Sequence, residues 1–179
     1  MEKTFLIRKE EPADYKAVYN LTEKAFRDMP FGDHDEQDLV ERLRKSDAFI
    51  PELSMVALLD RLIVGHIMLT RNNIKNAGNE FESLTLGPVS VLPEYQRQGI
   101  GSRLIRAAMD RARELGYKSV LLVGHEHFYP RFGFVPASRF SIMSPIEVPD
   151  PVFMALELEE GGLSGVSGIL EYPREFFEK

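Results

Sequence analysis

The sequence predicts an α/β fold in one domain: a mixed central sheet with one bulged strand and helices on both faces. Three observations carry this. A glycine loop, Gln96-Arg97-Gln98-Gly99-Ile100-Gly101-Ser102, leaves an apolar strand and opens an amphipathic helix. After that helix comes an unbroken apolar run, Val120 to Val123, the mark of a parallel strand covered on both faces, so strand, helix and strand form one right-handed crossover unit. In the strand before the loop the apolar alternation changes phase, from Leu84 and Leu86 to Val89 and Val91, with Gly87-Pro88 between. A side-chain period of two slips only by an extra residue, so Gly87-Pro88 is a predicted β-bulge. Proline also removes a ladder donor, so pairing to one neighbour fails there and a slot opens. The other reading ends the strand at Leu86 and gives Val89 to Val91 to a loop.

From the N-terminus, Thr4 to Arg8 reads as a strand, and Pro12 with Asp14 introduces a helix over Ala13 to Phe26, with Val18, Leu21, Ala25 and Phe26 on one side. A second helix covers Glu36 to Lys45, its Leu39, Val40 and Leu43 at helical spacing. The acidic run Asp33 to Glu41 is either its solvated face or an attraction for a cationic substrate. Leu53 to Leu59 and Leu62 to Leu69 form a hairpin across Asp60-Arg61, an Asn-rich loop spans Asn72 to Asn79, and the next strand begins near Phe81. The helix after the glycine loop, Ser102 to Leu115, places Leu104, Ile105, Ala108, Met109, Ala112 and Leu115 on one face and ends at Gly116. Glu126 to Phe132 reads as a short helix, and Gly133 to Val135 and Phe153 to Leu158 as strands. A terminal strand near Ile169 to Tyr172 is free to pair within the chain or across a homodimer.

The glycine loop is a socket for a phosphate. Glycines let the backbone approach a ligand, and the first turn of a helix offers N–H groups without internal partners at the positive end of its dipole. No Asp, Asn or Thr stands ready to cap them, so they are open to an anion or to water. Two better-known phosphate loops do not fit. A P-loop needs Lys and then Ser or Thr after its last glycine, where this chain has Ser102-Arg103, and a dinucleotide fingerprint needs a small residue where Leu104 stands.

With 179 residues and 44% hydrophobic content, the chain builds one core. A net charge of −6 argues against a nucleic-acid partner, and zero cysteines exclude a disulfide scaffold and thiol catalysis. The early charges of MEKTFLIRKEE fit neither a signal peptide nor a membrane helix, which points to a cytoplasmic protein with no membrane partner. His125 and His127 around Glu126 lack a third spaced ligand, so no metal is expected.

Together these parts resemble the GNAT superfamily of N-acetyltransferases, in particular its YhbS-like branch. The family's Arg/Gln-x-x-Gly-x-Gly/Ala loop is matched by Gln96, Gly99 and Gly101, and its Tyr-x-x-x-Gly-Phe motif by Tyr129, Gly133 and Phe134. The resemblance covers Leu53 to Phe134 closely and the flanks by order of elements. It implies acetyl-CoA as cosubstrate, its diphosphate on the amides of Arg97, Gln98, Gly99, Ile100, Gly101 and Ser102, and its pantetheine along Val89, Ser90 and Val91. It also implies Tyr129 as the general acid facing the thioester sulfur. Many relatives carry an Asn between the strand and that tyrosine; the segment here reads GHEHFY, so that contact has no counterpart.

The implied reaction is transfer of acetyl to a primary amine of a small molecule or peptide. An alkyl ammonium with a pKa near 10.4 is neutral in about one molecule in 2,500 at pH 7, a handicap of roughly 4.6 kcal/mol. A base is therefore needed. Glu82, on the strand that carries the bulge, is the candidate, acting through a water, with Glu80 and Glu126 as alternatives. The competing class is a non-catalytic acyl-CoA-binding sensor that keeps the socket without turnover.

Overall fold

In the computed structural model, which describes residues 4–179, one sheet runs through the molecule. Strand β1 (Leu6–Lys9) precedes helix α1 (Tyr15–Phe26), whose entry is shaped by Pro12 and by Asp14, which accepts the Glu11 N–H at 2.8 Å. Helix α2 (Glu36–Arg44) follows, then the long strands β2 (Phe49–Leu59), β3 (Leu62–Asn76) and β4 (Asn79–Val91). Helix α3 (Ile100–Glu114) crosses to β5 (Ser119–Val123), and short strands β6 (Val135–Pro136), β7 (Ile142–Met143), β8 (Phe153–Glu157) and β9 (Gly168–Glu171) complete the chain. The order is β1-β2-β3-β4-β5-β8-β6, with β9 on both β3 and β7. Only β4 with β5 and β7 with β9 are parallel, so the sheet is mixed as expected. Among the described residues, no helix is long and apolar enough to cross a membrane.

The faces divide by parity along β3. Ile67 and Leu69 pack with Leu104, Ile105, Ala108 and Met109 of α3, whereas Met68 packs with Val18 and Leu21 of α1 and Val40 and Leu43 of α2. Each fully buried aliphatic side chain of these stripes contributes about 1.5–3 kcal/mol relative to exposure, and together they hold α3 on one face and α1 with α2 on the other.

The phase change is a bulge. Ile67 stands opposite Val89 while Leu69 stands opposite Leu86, so Gly87 and Pro88 together oppose Met68. The extra residue keeps Leu84 and Leu86 before it, and Val89 and Val91 after it, on the α3 side.

Three expectations need correction. The Asn-rich segment is strand, not loop: β3 continues to Asn76 and turns at Ala77-Gly78, where both φ values are positive, the signature of a tight hairpin turn. Asn72 is buried there, its Nδ2 donating to Thr85 Oγ1 at 2.6 Å across the ladder. Helix α3 begins at Ile100 rather than Ser102, and the segment expected as a helix from Glu126 is a 3-10 turn over Tyr129–Phe132. The terminal strand pairs within the chain, Ile169 to Leu170 to Glu171 lying against Lys75, Ile74 and Asn73.

A buried polar knot ties β1, β2, β3 and α2 together. Arg44 grips Glu10 through Nε and Nη2, at 3.0 and 2.6 Å, with side chains 6% and 1% exposed. Ser54 Oγ donates to Glu10 Oε1 at 2.9 Å and lies 2.9 Å from His66 Nε2. Burial, helped by the nearby Arg44 charge and opposed by Glu10, pushes the His66 imidazole down to about 4.

Candidate active site

The site begins where β4 loses a neighbour. Leu84 and Thr85 pair with Val120 and Leu121 of β5, and beyond these two pairs the strands part, β5 continuing on β8 alone up to Val123. On its other side β4 stays paired: the Leu92 N–H donates to Val64 O at 2.9 Å. Successive residues of an antiparallel strand turn their backbone groups to alternate sides, so Ser90 faces β3 while Val89 and Val91 face the gap.

The glycine loop follows directly. Gln96 Nε2 donates to Val91 O at 3.0 Å, fastening the loop to the end of β4. Arg97, at φ +61°, and Gly99, at φ +83°, are left-handed. That conformation costs an L-residue about 1–2 kcal/mol and is free to glycine. Gly99 is the N-cap of α3 and provides no side-chain cap, and the first helical N–H to find an acceptor is that of Arg103, on Gly99 O at 3.1 Å. Among the described residues the N–H groups of Ile100, Gly101 and Ser102 therefore have no acceptor, at the positive end of a helix of 15 residues.

These amides border a cavity of about 410 Å³. Val91 and the loop from Gln96 to Ser102, Gln98 excepted, form one wall, and Phe128 and Arg131 close the other. Arg131 is held over the Phe128 ring, its Cζ 4.5 Å from the centroid, while its Nε donates to Phe128 O at 2.9 Å. The ionisable groups of the lining besides Tyr95 are two arginines, Arg97 and Arg131, and no carboxylate is among them, in a chain whose net charge is −6. That field selects an anion.

Tyr129 stands beside this cavity, its ring edge-on to Phe128 at 5.0 Å and to Phe134 at 5.9 Å. Burial alone pushes its hydroxyl above the ordinary tyrosine value, which keeps it protonated. Among the described residues that hydroxyl has no hydrogen-bond partner.

The structure thus brings together Val91, Gln96, Arg97, Gly99, Ile100, Gly101, Ser102 and Tyr129, with Val89 at the gap. Ser90 and Gln98 are turned elsewhere: Ser90 Oγ lies 3.3 Å from Thr22 Oγ1 of α1, and Gln98 Nε2 donates to Glu94 O at 3.3 Å. Glu82 is exposed on the early half of β4 and lines a separate cavity of about 430 Å³ with Gly116, Tyr117 and Ser119, where α3 ends and β5 begins. The phosphate loop lies at the opposite end of both elements, so Glu82 is not beside Tyr129. Glu80 shares that second cavity and pairs with Lys75 at 3.4 Å, and Glu126 lies 3.5 Å from His127. Sequence reasoning missed Phe128 and Arg131, whose only signal was their place around the tyrosine motif.

Comparison with known proteins gives this geometry a family. Residues 15–134 match the acetyltransferase (GNAT) family. The chain is 37% identical over 121 residues, 67% of either chain, to the uncharacterized N-acetyltransferase YjhQ of Escherichia coli K12. It is 28% identical over 172 residues, 96% of this chain and 98% of the other, to the uncharacterized N-acetyltransferase YhbS of the same organism. The crystal structure of Escherichia coli YhbS in complex with CoA superposes with a TM-score of 0.84 at 26% identity, covering 97% of this chain and 92% of that one. A GNAT family acetyltransferase from Brucella melitensis in complex with acetyl-CoA superposes at 0.80 with 32% identity, covering 97% and 99%. With two thirds of its residues under the family's model, this chain belongs to the acetyltransferase (GNAT) family.

Proposed function

We propose that this acetyltransferase moves the acetyl group of acetyl-CoA to a primary amine of a small molecule or peptide, by direct attack in a ternary complex. The observation that carries the reading is the set of unpartnered amides of Ile100, Gly101 and Ser102 opening on a carboxylate-free cavity beside the parted strands. The diphosphate sits on those amides with Arg97 and Arg131 on either side. Pantetheine takes the place β5 leaves vacant and completes the ladder with Val89 and Val91 as a missing strand would. Neighbouring structures that hold CoA and acetyl-CoA support this fit.

The amine nitrogen attacks the thioester carbonyl, the tetrahedral intermediate collapses, and the carbon–sulfur bond breaks. Tyr129 gives its hydroxyl proton to the departing sulfur and recovers one from solvent. A thiol of pKa about 8.5 is a tolerable leaving group, so this donation accelerates rather than enables the step, by about 10²–10⁴. The amine's own proton passes to water, since Glu82 lines a separate cavity at the other end of α3.

Thiol release from acetyl-CoA across a panel of amines tests the reading, with thermal protection by CoA measured alongside. Release on at least one amine, reduced about 10²–10⁴-fold in kcat by Tyr129→Phe at unchanged KM for acetyl-CoA, is the expected result. Protection without release on any amine makes the chain a sensor, and an unaltered rate in Tyr129→Phe removes the tyrosine from the chemistry.

A further inference from the structure

Tyr129 has an unusual dependence on its surroundings. Its hydroxyl has no hydrogen-bond partner among the described residues, so the packing of the ring sets where the hydroxyl oxygen stands. Three aromatic rings pack around it: Phe128 at 5.0 Å, Phe134 at 5.9 Å and Phe132 at 6.4 Å between centroids. A further contact is made by backbone, at Gly124, the residue immediately after β5.

Gly124 is anchored, since its N–H donates to Val152 O at 2.9 Å, and its φ lies outside the left-handed region, so the backbone itself accepts any L-residue. The restriction is one of contact. A methyl group built there falls into the Tyr129 ring, against Cε2 and 2.9 Å from Cδ2, and 3.3 Å from Leu122 Cδ1. Cε2 is bonded to the carbon that carries the hydroxyl. A backbone segment without a side chain thus stands against the Cδ2–Cε2 edge of the ring, next to its reactive end.

We infer that Gly124 is a positioning residue for the Tyr129 hydroxyl: its missing side chain lets the ring lie on the end of β5, and that seat aims the proton at the departing sulfur. The inference rests on Tyr129 as the proton donor. A methyl at 124 forces the ring outward on the order of 1 Å, a displacement worth about 10²-fold in rate when it moves a reacting group.

The test is a double-mutant cycle in thiol release with acetyl-CoA and whichever amine the wild-type protein accepts. Gly124→Ala is expected to lower kcat about 10–100-fold with the KM for acetyl-CoA within about twofold, because the phosphate loop is untouched. In the Tyr129→Phe background the same methyl is expected to change kcat by less than about threefold, since a displaced ring without a proton has nothing to misdirect. Ultraviolet titration of tyrosinate, read as the difference from Tyr129→Phe, should show the Tyr129 ionisation moving down toward the ordinary tyrosine value in Gly124→Ala as the ring leaves its buried seat.

A Gly124→Ala protein with wild-type kcat, alongside a slow Tyr129→Phe, overturns the inference and leaves the proton-donor reading standing. A wild-type rate in Tyr129→Phe overturns both. An equal loss from Gly124→Ala in the two backgrounds overturns the inference as well, because Gly124 then acts apart from the hydroxyl. If Gly124→Ala does not fold, the pair Gly124→Ala/Tyr129→Ala removes the ring that the methyl meets: recovery of folding supports the contact, and failure to recover overturns it.

Discussion

Gly101→Ala separates stability from ligand binding at the phosphate loop. Gly101 lies in the first turn of α3, outside the left-handed region, and a methyl there meets only Val91 Cγ2, at an ordinary 3.9 Å. Alanine is favoured over glycine inside a helix by about 0.8–1.0 kcal/mol, so the variant is expected to fold and to melt no lower than wild type. In a helix the Cα–Cβ bond tilts toward the N-terminus, which here is the space faced by the unpartnered amides of Ile100 to Ser102. A methyl in that space holds the diphosphate off one donor. A hydrogen bond to a charged group contributes about 1.5–3 kcal/mol, so the dissociation constant for CoA should rise about 10- to 100-fold. Calorimetric titration with CoA, beside thermal melts of both proteins, reads the two effects separately. Unchanged CoA affinity in a stably folded Gly101→Ala would refute the argument that these amides hold the phosphates.

Two further outcomes follow from the buried knot. Glu10→Ala strands the Arg44 guanidinium, 6% exposed, without its carboxylate, and should cost about 3–5 kcal/mol in denaturant unfolding; a loss below about 1 kcal/mol would show that water reaches Arg44. His66, facing Glu10, Ser54 and Arg44, titrates at about 4 in the folded chain against about 6.5 unfolded, so between those values the unfolded chain binds a proton that the folded chain excludes. Stability is therefore complete above about pH 6.5 and falls as pH drops toward 4, by up to about 3 kcal/mol. Urea midpoints across that range should decline less steeply in His66→Gln, and equal slopes would dismiss the histidine as the cause.

The parts that were legible in the sequence are those written in local periodicity. The shift from Leu84 and Leu86 to Val89 and Val91 announced the bulge because α3 covers one face of β4 from Leu84 to Val91, which leaves the alternation no freedom. The loop was legible because left-handed turns and close approach restrict the choice of residue, and Tyr129 because it precedes a glycine-phenylalanine pair at fixed spacing. What failed depends on partners distant in sequence. Asn72 reads as loop until Thr85 is seen to accept its amide across the ladder. Glu82 shares a strand with the site, yet the rise of an extended chain from Glu82 to Val89 amounts to roughly 20 Å, which carries it past the far end of α3. Gly124 gave no signal, since nothing in its neighbours reveals that a ring five residues later folds back against it.

The parting of β4 from β5 also decides how the molecule is jointed. Across that seam the ladder closes only Leu84 with Val120 and Thr85 with Leu121, with Ser83 Oγ 2.6 Å from Ser119 Oγ just before these pairs. The width of the V between the two wings of the sheet is thus fixed by the helix wedged along one side rather than by rungs across its mouth. In the complex proposed above, the pantetheine arm lying in that V would serve as a final rung and brace both wings at once.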